Sequence, residues 1–349
     1  MEPITHMLTG AVLSRAGLNR KAKYMTAAMV VAAELPDIDV VWGLLGSVAS
    51  FGHHRGITHT FLGLPFEAAL VAWGTRWVYR KRHPSRKDPR PSFWWLFLGS
   101  LVALLSHILL DWTNNYGVRP FFPFNPHWYA GSFVFIVEPV LLVLLLLALV
   151  APWLFGLIGS EVGARRPEFR GQGWAIAGLV GVAVLYGWRY IEHGKAIDIA
   201  TANEPAGATS VFASPHPVNP FVWSTVTDTP ATYVLGTVDT RTGTMLPTST
   251  SDTIYKEEVK LAILVAKRSD LGQYYLDWSM YPVITDTING LDVNHPWEDV
   301  TFKDARFMYD VFGRNLREKP PMVGTVTLDM AQSEGQRVID MTMGDSKAK

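Results

Sequence analysis

"FWWLFLGSLVALLSHILLDW" occupies residues 93–112. A helix of about 20 apolar residues, rising about 1.5 Å per residue, is long enough to cross the ~30 Å hydrocarbon core of a bilayer. Two polar residues intrude, His107 and Asp111, four positions apart, so a helix presents both on the same face. Ionisable groups at that depth are costly and mark function by default, although some only join helices to one another. The pair therefore reads either as two ligands of a metal or as a hydrogen bond inside a helical bundle.

Outward from this stretch the chain repeats the pattern. "SFVFIVEPVLLVLLLLALVAPWLFGLIG" (132–159) is long enough to span, with Glu138 near its start. "GWAIAGLVGVAVLYGWRYI" (173–191) closes on Trp188, Arg189 and Tyr190, the aromatic and basic edge expected at an interface. The stretch 60–79 is a weaker span carrying Glu67 and Arg76, and 24–48 is an irregular one interrupted by three acids. Five membrane segments and a short helix at 4–16 result.

Beyond residue 191 the long apolar runs stop. Residues 192–210 read as a short helix leading into a linker, and 211–349 as a β-rich soluble domain. The strand-like pieces are "TYVLGTVDT" (232–240), "VKLAILVA" (259–266), "YYLDWSMYPVI" (274–284) and "VGTVTLDM" (323–330), with "DTRTG" (239–243) as a hairpin turn. The predicted fold is an α-helical integral membrane bundle (1–191) followed by a soluble, mainly antiparallel β domain.

The 349 residues carry no net formal charge, so no basic field recommends nucleic acid as a partner, and none is expected. The chain has no cysteine, which removes disulfides, zinc–thiolate sites and thiol nucleophiles. Any metal must take His, Asp, Glu or water, which favours zinc, manganese, iron or magnesium.

Lysine and arginine set the orientation. The loops "RAGLNRKAK" (15–23), "RKRHPSRKDPRPS" (80–92) and "EVGARRPEFRGQ" (161–172) are basic and are assigned to the cytoplasm. Residues 49–59, 113–131 and everything after 191 then fall on the outer, periplasmic face. The polar residues of the helical half gather on that same face.

His6 lies near the outward start of the first helix. Asp37 and Asp39 flank Ile38 in "LPDID", where Pro36 breaks the helix and lets both carboxylates turn to one centre. His54 and His59 bound "HRGITH", where Gly56 permits a bend that brings the two rings together. Ser106 or Thr58 is placed to donate hydrogen bonds to ligands, and Arg55 to hold an anionic group such as phosphate. Each motif alone has a plainer reading, as a solvated loop or a lipid-facing basic turn. Together they supply four histidines and three acids at one depth.

The motifs "THMLTG" (5–10), "PDIDVVW" (36–42), "HRGITHT" (54–60) and "SHILLDWTNNYG" (106–117) resemble, in that order, those of the YdjM family. These are inner-membrane proteins inferred to be metal-dependent hydrolases, also labelled LexA-binding and DUF457. The resemblance covers about residues 1–190, and "ASPHPVNPFVW" (213–223) is similar to the tail of longer members. It implies a metal site on His6, Asp37, Asp39, His54, His59, His107 and Asp111. The His-x-x-x-Asp element is also similar to one in zinc phospholipases C and the S1/P1 nucleases.

The expected activity is hydrolysis of a phosphoester in a membrane lipid or lipid-linked substrate, with zinc first among the metals. Asp37, Asp39, His54 and Arg55 are the expected catalytic groups. The alternative is a non-enzymatic scaffold, with a structural metal or hydrogen-bonded polar core, that presents the β domain to a protein partner.

Overall fold

The computed structural model describes residues 1–83, 90–161, 171–246, 252–289, 297–311, 314–316, 320–329 and 337–344. The chain forms two compact units, Met1–Asp39 with Arg55–Ile191, and Val40–His54 with Glu192–Lys349. The first is helical and the second is built on antiparallel sheets.

The helical unit contains α1 (Pro3–Arg15), α2 (Met25–Glu34), α4 (Leu64–Arg82), α5 (Phe93–Thr113), α6 (Pro139–Glu161) and most of α7 (Gln172–Ala202). Its core is the face of α2 carrying Met25, Ala28, Met29, Ala32 and Ala33, packed on Leu96, Ala103, Leu104 and Ile108 of α5 and on Leu64, Ala68 and Ala72 of α4. Small residues permit the close approach: a Cβ at Gly10 of α1 would lie 2.7 Å from the Met29 carbonyl oxygen. Small residues at such a contact let two helix backbones approach closely.

Two of these helices, Phe93–Thr113 and Gln172–Ala202, are long and apolar enough by themselves to cross a membrane, and Pro139–Phe155 is a shorter apolar helix. Large apolar side chains face outward along them: Leu98, Val102, Leu105 and Leu109 on α5, Val143, Leu147, Val150 and Leu154 on α6. The irregular 24–48 span is in fact α2 followed by a 3₁₀ helix, Leu35–Leu45. Pro36 has no N–H for an α-helical bond and its ring clashes with the preceding turn, so the change occurs there. The edge expected at 188–190 is divided. Trp188 and Tyr190 face outward, but Arg189 turns inward and its Nη2 donates to Oε2 of buried Glu138 at 2.6 Å.

The second unit takes in the loop segment Val40–His54, including α3 (Ser47–His53), in addition to the C-terminal half. Its first sheet orders β1 (Ser210–Pro215), β2 (Val222–Asp228), β3 (Thr232–Asp239) and β4 (Thr244–Met245), with β5 (Thr253–Tyr255) also on β3. The second orders β11 (Arg337–Met343), β10 (Gly324–Asp329), β7 (Trp297–Asp304) and β6 (Pro282–Asn289). A core of Phe212, Val226, Tyr233 and Leu235 from the first sheet meets Tyr281 and Val283 beside the second. The short pair β8 (Asp310–Val311) and β9 (Arg314–Asn315) completes the strands among the described residues.

Several expectations change here. The short helix expected at the start of 192–210 is the end of α7, which continues to Ala202. "VKLAILVA" is not a strand but leads into α8 (Leu261–Arg268), and "YYLDW" lies in α9 (Asp270–Trp278). Ser269 caps α9 by accepting from the Gly272 N–H at 3.1 Å, and Leu271, Tyr275 and Trp278 recur at helical spacing on its buried face. Short apolar runs mask that period.

α3 is anchored inside this unit. Phe51 packs against Tyr275 and Trp278 of α9, with ring centroids 5.6 and 5.4 Å apart. Ser47 Oγ accepts from the Met343 N–H at 3.1 Å.

Candidate metal centre

Four ligand atoms, from Asp37, His59, His107 and Asp111, all lie within 4.8 Å of one another. Each arrives by a different local device. His107 and Asp111 share one face of α5. Asp37 sits in the first turn of the 3₁₀ helix after α2, and His59 ends a second 3₁₀ turn, Ile57–His59.

The histidine nitrogens are oriented from behind. His107 Nδ1 is 2.6 Å from the Ala33 carbonyl oxygen. A carbonyl only accepts, so Nδ1 carries the proton and Nε2 presents a lone pair. His59 Nδ1 faces Thr58 Oγ1 at 3.2 Å and Asp39 Oδ2 at 3.6 Å. The two Nε2 atoms stand 3.1 Å apart.

Around that pair His107 Nε2 lies 3.4 Å from Asp111 Oδ2 and 3.6 Å from Asp37 Oδ1. His59 Nε2 lies 3.4 Å from Asp37 Oδ1 and 3.6 Å from Asp111 Oδ2. Ligands about 2.0–2.1 Å from a tetrahedral ion are roughly 3.3–3.4 Å from each other, so the separations fit such an ion. Asp111 Oδ2 is buried without a hydrogen-bond donor, a cost that a cation offsets. Two imidazoles and two carboxylates suit a borderline divalent metal. The side chains of His59, His107 and Asp111 are at most 1% exposed, and that of Asp37 is 27% exposed, so the cluster opens at Asp37.

Arg55 does something other than grip a substrate. It is buried; Nη1 donates to the Gly117 carbonyl at 2.6 Å, Nη2 lies 2.8 Å from Asp111 Oδ1, and the guanidinium lies over the Tyr116 ring. Burial pulls its pKa down to about 10, against the opposing charges of Asp37 and Asp39, so it remains cationic at neutral pH. One oxygen of Asp111 is thus tied to Arg55 and the other is turned toward the two histidines.

The other predicted site residues are placed as follows. Asp39 is outside the four-residue cluster; its Oδ2 accepts the Arg55 N–H at 2.7 Å and faces His59, so it orients a ligand. His6 stacks on His107 with centroids 3.8 Å apart, its Nε2 3.4 Å from Asp111 Oδ1, and neither ring nitrogen has a hydrogen-bond partner. The amino group of Met1 also contacts Asp111 Oδ1. His54 is not in the cluster: it closes α3, half-buried, in the second unit. The bend expected at Gly56 is made at Arg55, whose φ is +52°, and it turns His59 inward without bringing His54 along. Ser106 Oγ donates to the Ala103 carbonyl within α5 and is not placed to serve a ligand.

What the motif reading missed is largely backbone. Asn114 Oδ1 accepts the Tyr116 N–H at 2.8 Å, forming the turn that delivers the Gly117 carbonyl to Arg55. Gly117 has φ +86°, and a Cβ there would sit 3.1 Å from the Tyr129 carbonyl oxygen. The "NNYG" that follows α5 is the signal for it.

Residues 1–196 match the family described as YdjM inner membrane protein, more than half of the chain. The chain belongs to the YdjM family. A relative is the uncharacterized protein YfhP of Bacillus subtilis (strain 168), 27% identical over 129 residues, 37% of this chain. The match spans 36% of that relative's length. No solved structure matches. The YdjM assignment covers the whole four-residue cluster and places the chain among inner-membrane proteins.

Proposed function

We propose that this YdjM-family protein is a membrane-embedded, metal-dependent hydrolase acting on a phosphoester of a lipid or lipid-linked substrate. The observation that carries the reading is the convergence of two imidazole nitrogens and two carboxylates, with His59, His107 and Asp111 buried and Asp37 partly exposed. A divalent ion held by Asp37, His59, His107 and Asp111, zinc by preference, supplies Lewis acidity and acidifies water toward neutral pH.

The chain's own residues do the rest. Asp39 orients His59, the Ala33 carbonyl orients His107, and Arg55 orients Asp111. Such supporting contacts fix the ligand tautomers and directions. Asp37 borders the open side, where a substrate enters.

A lipid substrate is favoured by the apolar residues that face outward along α5, α6 and α7, because soluble proteins seldom expose continuous apolar surface of that extent. The basic loops at 15–23 and 80–92 are the reason we propose a multi-pass arrangement with the C-terminal half outside. A reporter fused after residue 349 tests this arrangement, and activity confined to the cytoplasm would overturn it.

The test of the activity is metal analysis of purified protein, followed by hydrolysis screens on phosphomonoester and phosphodiester lipids. Stoichiometric metal, with release of a headgroup or phosphate that Asp37→Asn abolishes, is the expected result. Metal-loaded protein inert on every lipid phosphoester would leave the scaffold reading in its place.

A further inference from the structure

The helical unit has a second polar concentration, built by the start of α2 and the start of α5. A cleft of about 850 Å³ there is lined by Arg20, Lys21, Lys23, His83 and Arg90, and no acidic residue lines it among the described residues. Tyr24 and Ser92, the residues that precede α2 and α5, also line it, and neither caps its helix through its side chain. Two helices, of 10 and 21 residues, thus bring the positive ends of their dipoles to a cleft already rich in cations.

Aromatic rings flank the cations. Lys21 Nζ lies 4.9 Å from the Trp95 ring centroid, and Lys23 Nζ lies 5.8 Å from that of Tyr79. His83 stacks on Tyr79 and its Nε2 is 3.3 Å from Tyr24 Oη. Exposed Trp94 and Trp95 follow Ser92 and Phe93.

A second cleft, of about 560 Å³, shares Arg20 and Lys21 with the first and continues over Leu13, Ala16 and Leu18. One cleft is cationic, the adjoining one is largely apolar, and the two meet at the same pair of basic residues. That arrangement matches a ligand with a phosphate head and a hydrocarbon tail.

We infer that this paired cleft binds an anionic phospholipid, its phosphate among Arg20, Lys21 and Arg90 and an acyl chain along Leu13 and Leu18. The site is separate from the His–Asp cluster and does not depend on hydrolysis. Basic pockets between membrane helices recognise lipid phosphates through charge and helix-end N–H groups.

The test uses the full-length chain in neutral detergent, with thermal unfolding followed by tryptophan fluorescence and bound lipid counted by native mass spectrometry. Cardiolipin or phosphatidylglycerol is expected to raise the melting temperature and to remain bound, while phosphatidylcholine does neither. Arg20→Gln/Lys21→Gln/Arg90→Gln is expected to weaken binding roughly fivefold per charge removed. Lys195→Gln/Arg241→Gln, which removes surface charge elsewhere, leaves it unchanged. If the triple variant does not fold, the exposed single change Arg90→Gln carries the same readout at about fivefold. Stabilisation by inorganic phosphate or pyrophosphate equal to that by lipid would assign the cleft to a soluble phosphate and overturn the lipid. Equal binding by wild type and Arg90→Gln, or no response to any anion, would overturn the site.

Discussion

Nε2 of His59 faces Nε2 of His107 across 3.1 Å, although the residues are 48 positions apart in the chain. The nearby Asp37 and Asp111 oxygens concentrate negative potential at the same point, and a cation held among these four groups would offset it. An ion present at 100 times its dissociation constant stabilises the folded state by about 2.7 kcal/mol.

Chelation is therefore expected to lower the melting temperature of wild-type protein and to remove close to one equivalent of metal. His59→Ala and His107→Ala should each purify without stoichiometric metal and melt at a temperature that chelator no longer changes. A wild type that is metal-free after gentle purification, and indifferent to added zinc or manganese, would contradict the site.

Arg55 provides a sharper test, because it touches no proposed metal position yet sets Asp111. Replacing it by Lys removes the fork that reaches the Gly117 carbonyl and Asp111 together. Metal affinity is expected to fall by about 10–100-fold. Arg55→Met removes one of the two cationic groups, with the Met1 amino group, on buried Asp111 Oδ1 and is expected to destabilise the fold. Adding Asp111→Asn to Arg55→Met should restore stability without restoring metal. Recovery of both, measured by denaturation and metal titration, would mean that Asp111 is not a ligand.

The cluster was legible in the sequence to the extent that spacing encodes it. His107 and Asp111 sit one helical turn apart, and Pro36 signals the break that frees Asp37. Proximity in "HRGITH" does not say which ring joins the cluster; His59 does so after the positive-φ backbone of Arg55, which nothing in the motif specifies. Arg55 was read as a substrate clamp because its partners, the Gly117 carbonyl and Asp111, lie 62 and 56 residues away (117 − 55 and 111 − 55). In the β-rich half, strands such as β3 and β10 followed from alternation. α8 and α9 did not, since their eight and nine residues are too short for helical periodicity to outweigh their β-branched and aromatic content.

The loop between Asp39 and Arg55 belongs to the second unit, held there by Phe51 on Tyr275 and Trp278. Its ends are the residue that orients His59 and the residue that orients Asp111. Phe51→Ala removes an aromatic anchor worth about 3–5 kcal/mol in a well-packed core. The expected outcome is weaker metal binding from a residue that touches no ligand, with Phe51→Leu recovering most of it. Unchanged metal affinity in a demonstrably destabilised Phe51→Ala protein would show that the ligands hold their positions without the loop.

Asp304 is the buried carboxylate whose titration is expected to govern acid stability of the β-rich unit. It accepts from Ser279 Oγ at 2.6 Å, the Met280 N–H at 3.1 Å, and the Arg306 N–H, Nε and Nη2 at 2.8, 3.0 and 2.9 Å. Burial pushes its pKa up, but the Arg306 charge and these hydrogen bonds more than reverse that, leaving it below the ordinary 3.8. A carboxylate depressed in the folded state binds its proton more readily when unfolded. Its stabilisation is therefore complete above the ordinary carboxylate range and is lost as pH falls through the lowered folded value. Wild-type protein should lose stability to urea as pH is taken from about 5 toward 2, and Asp304→Asn should flatten that slope. At neutral pH the same substitution takes the carboxylate charge away from buried Arg306 and is expected to destabilise the fold. An unaltered acid slope in Asp304→Asn, with the fold retained at pH 7, would assign the acid sensitivity to another carboxylate.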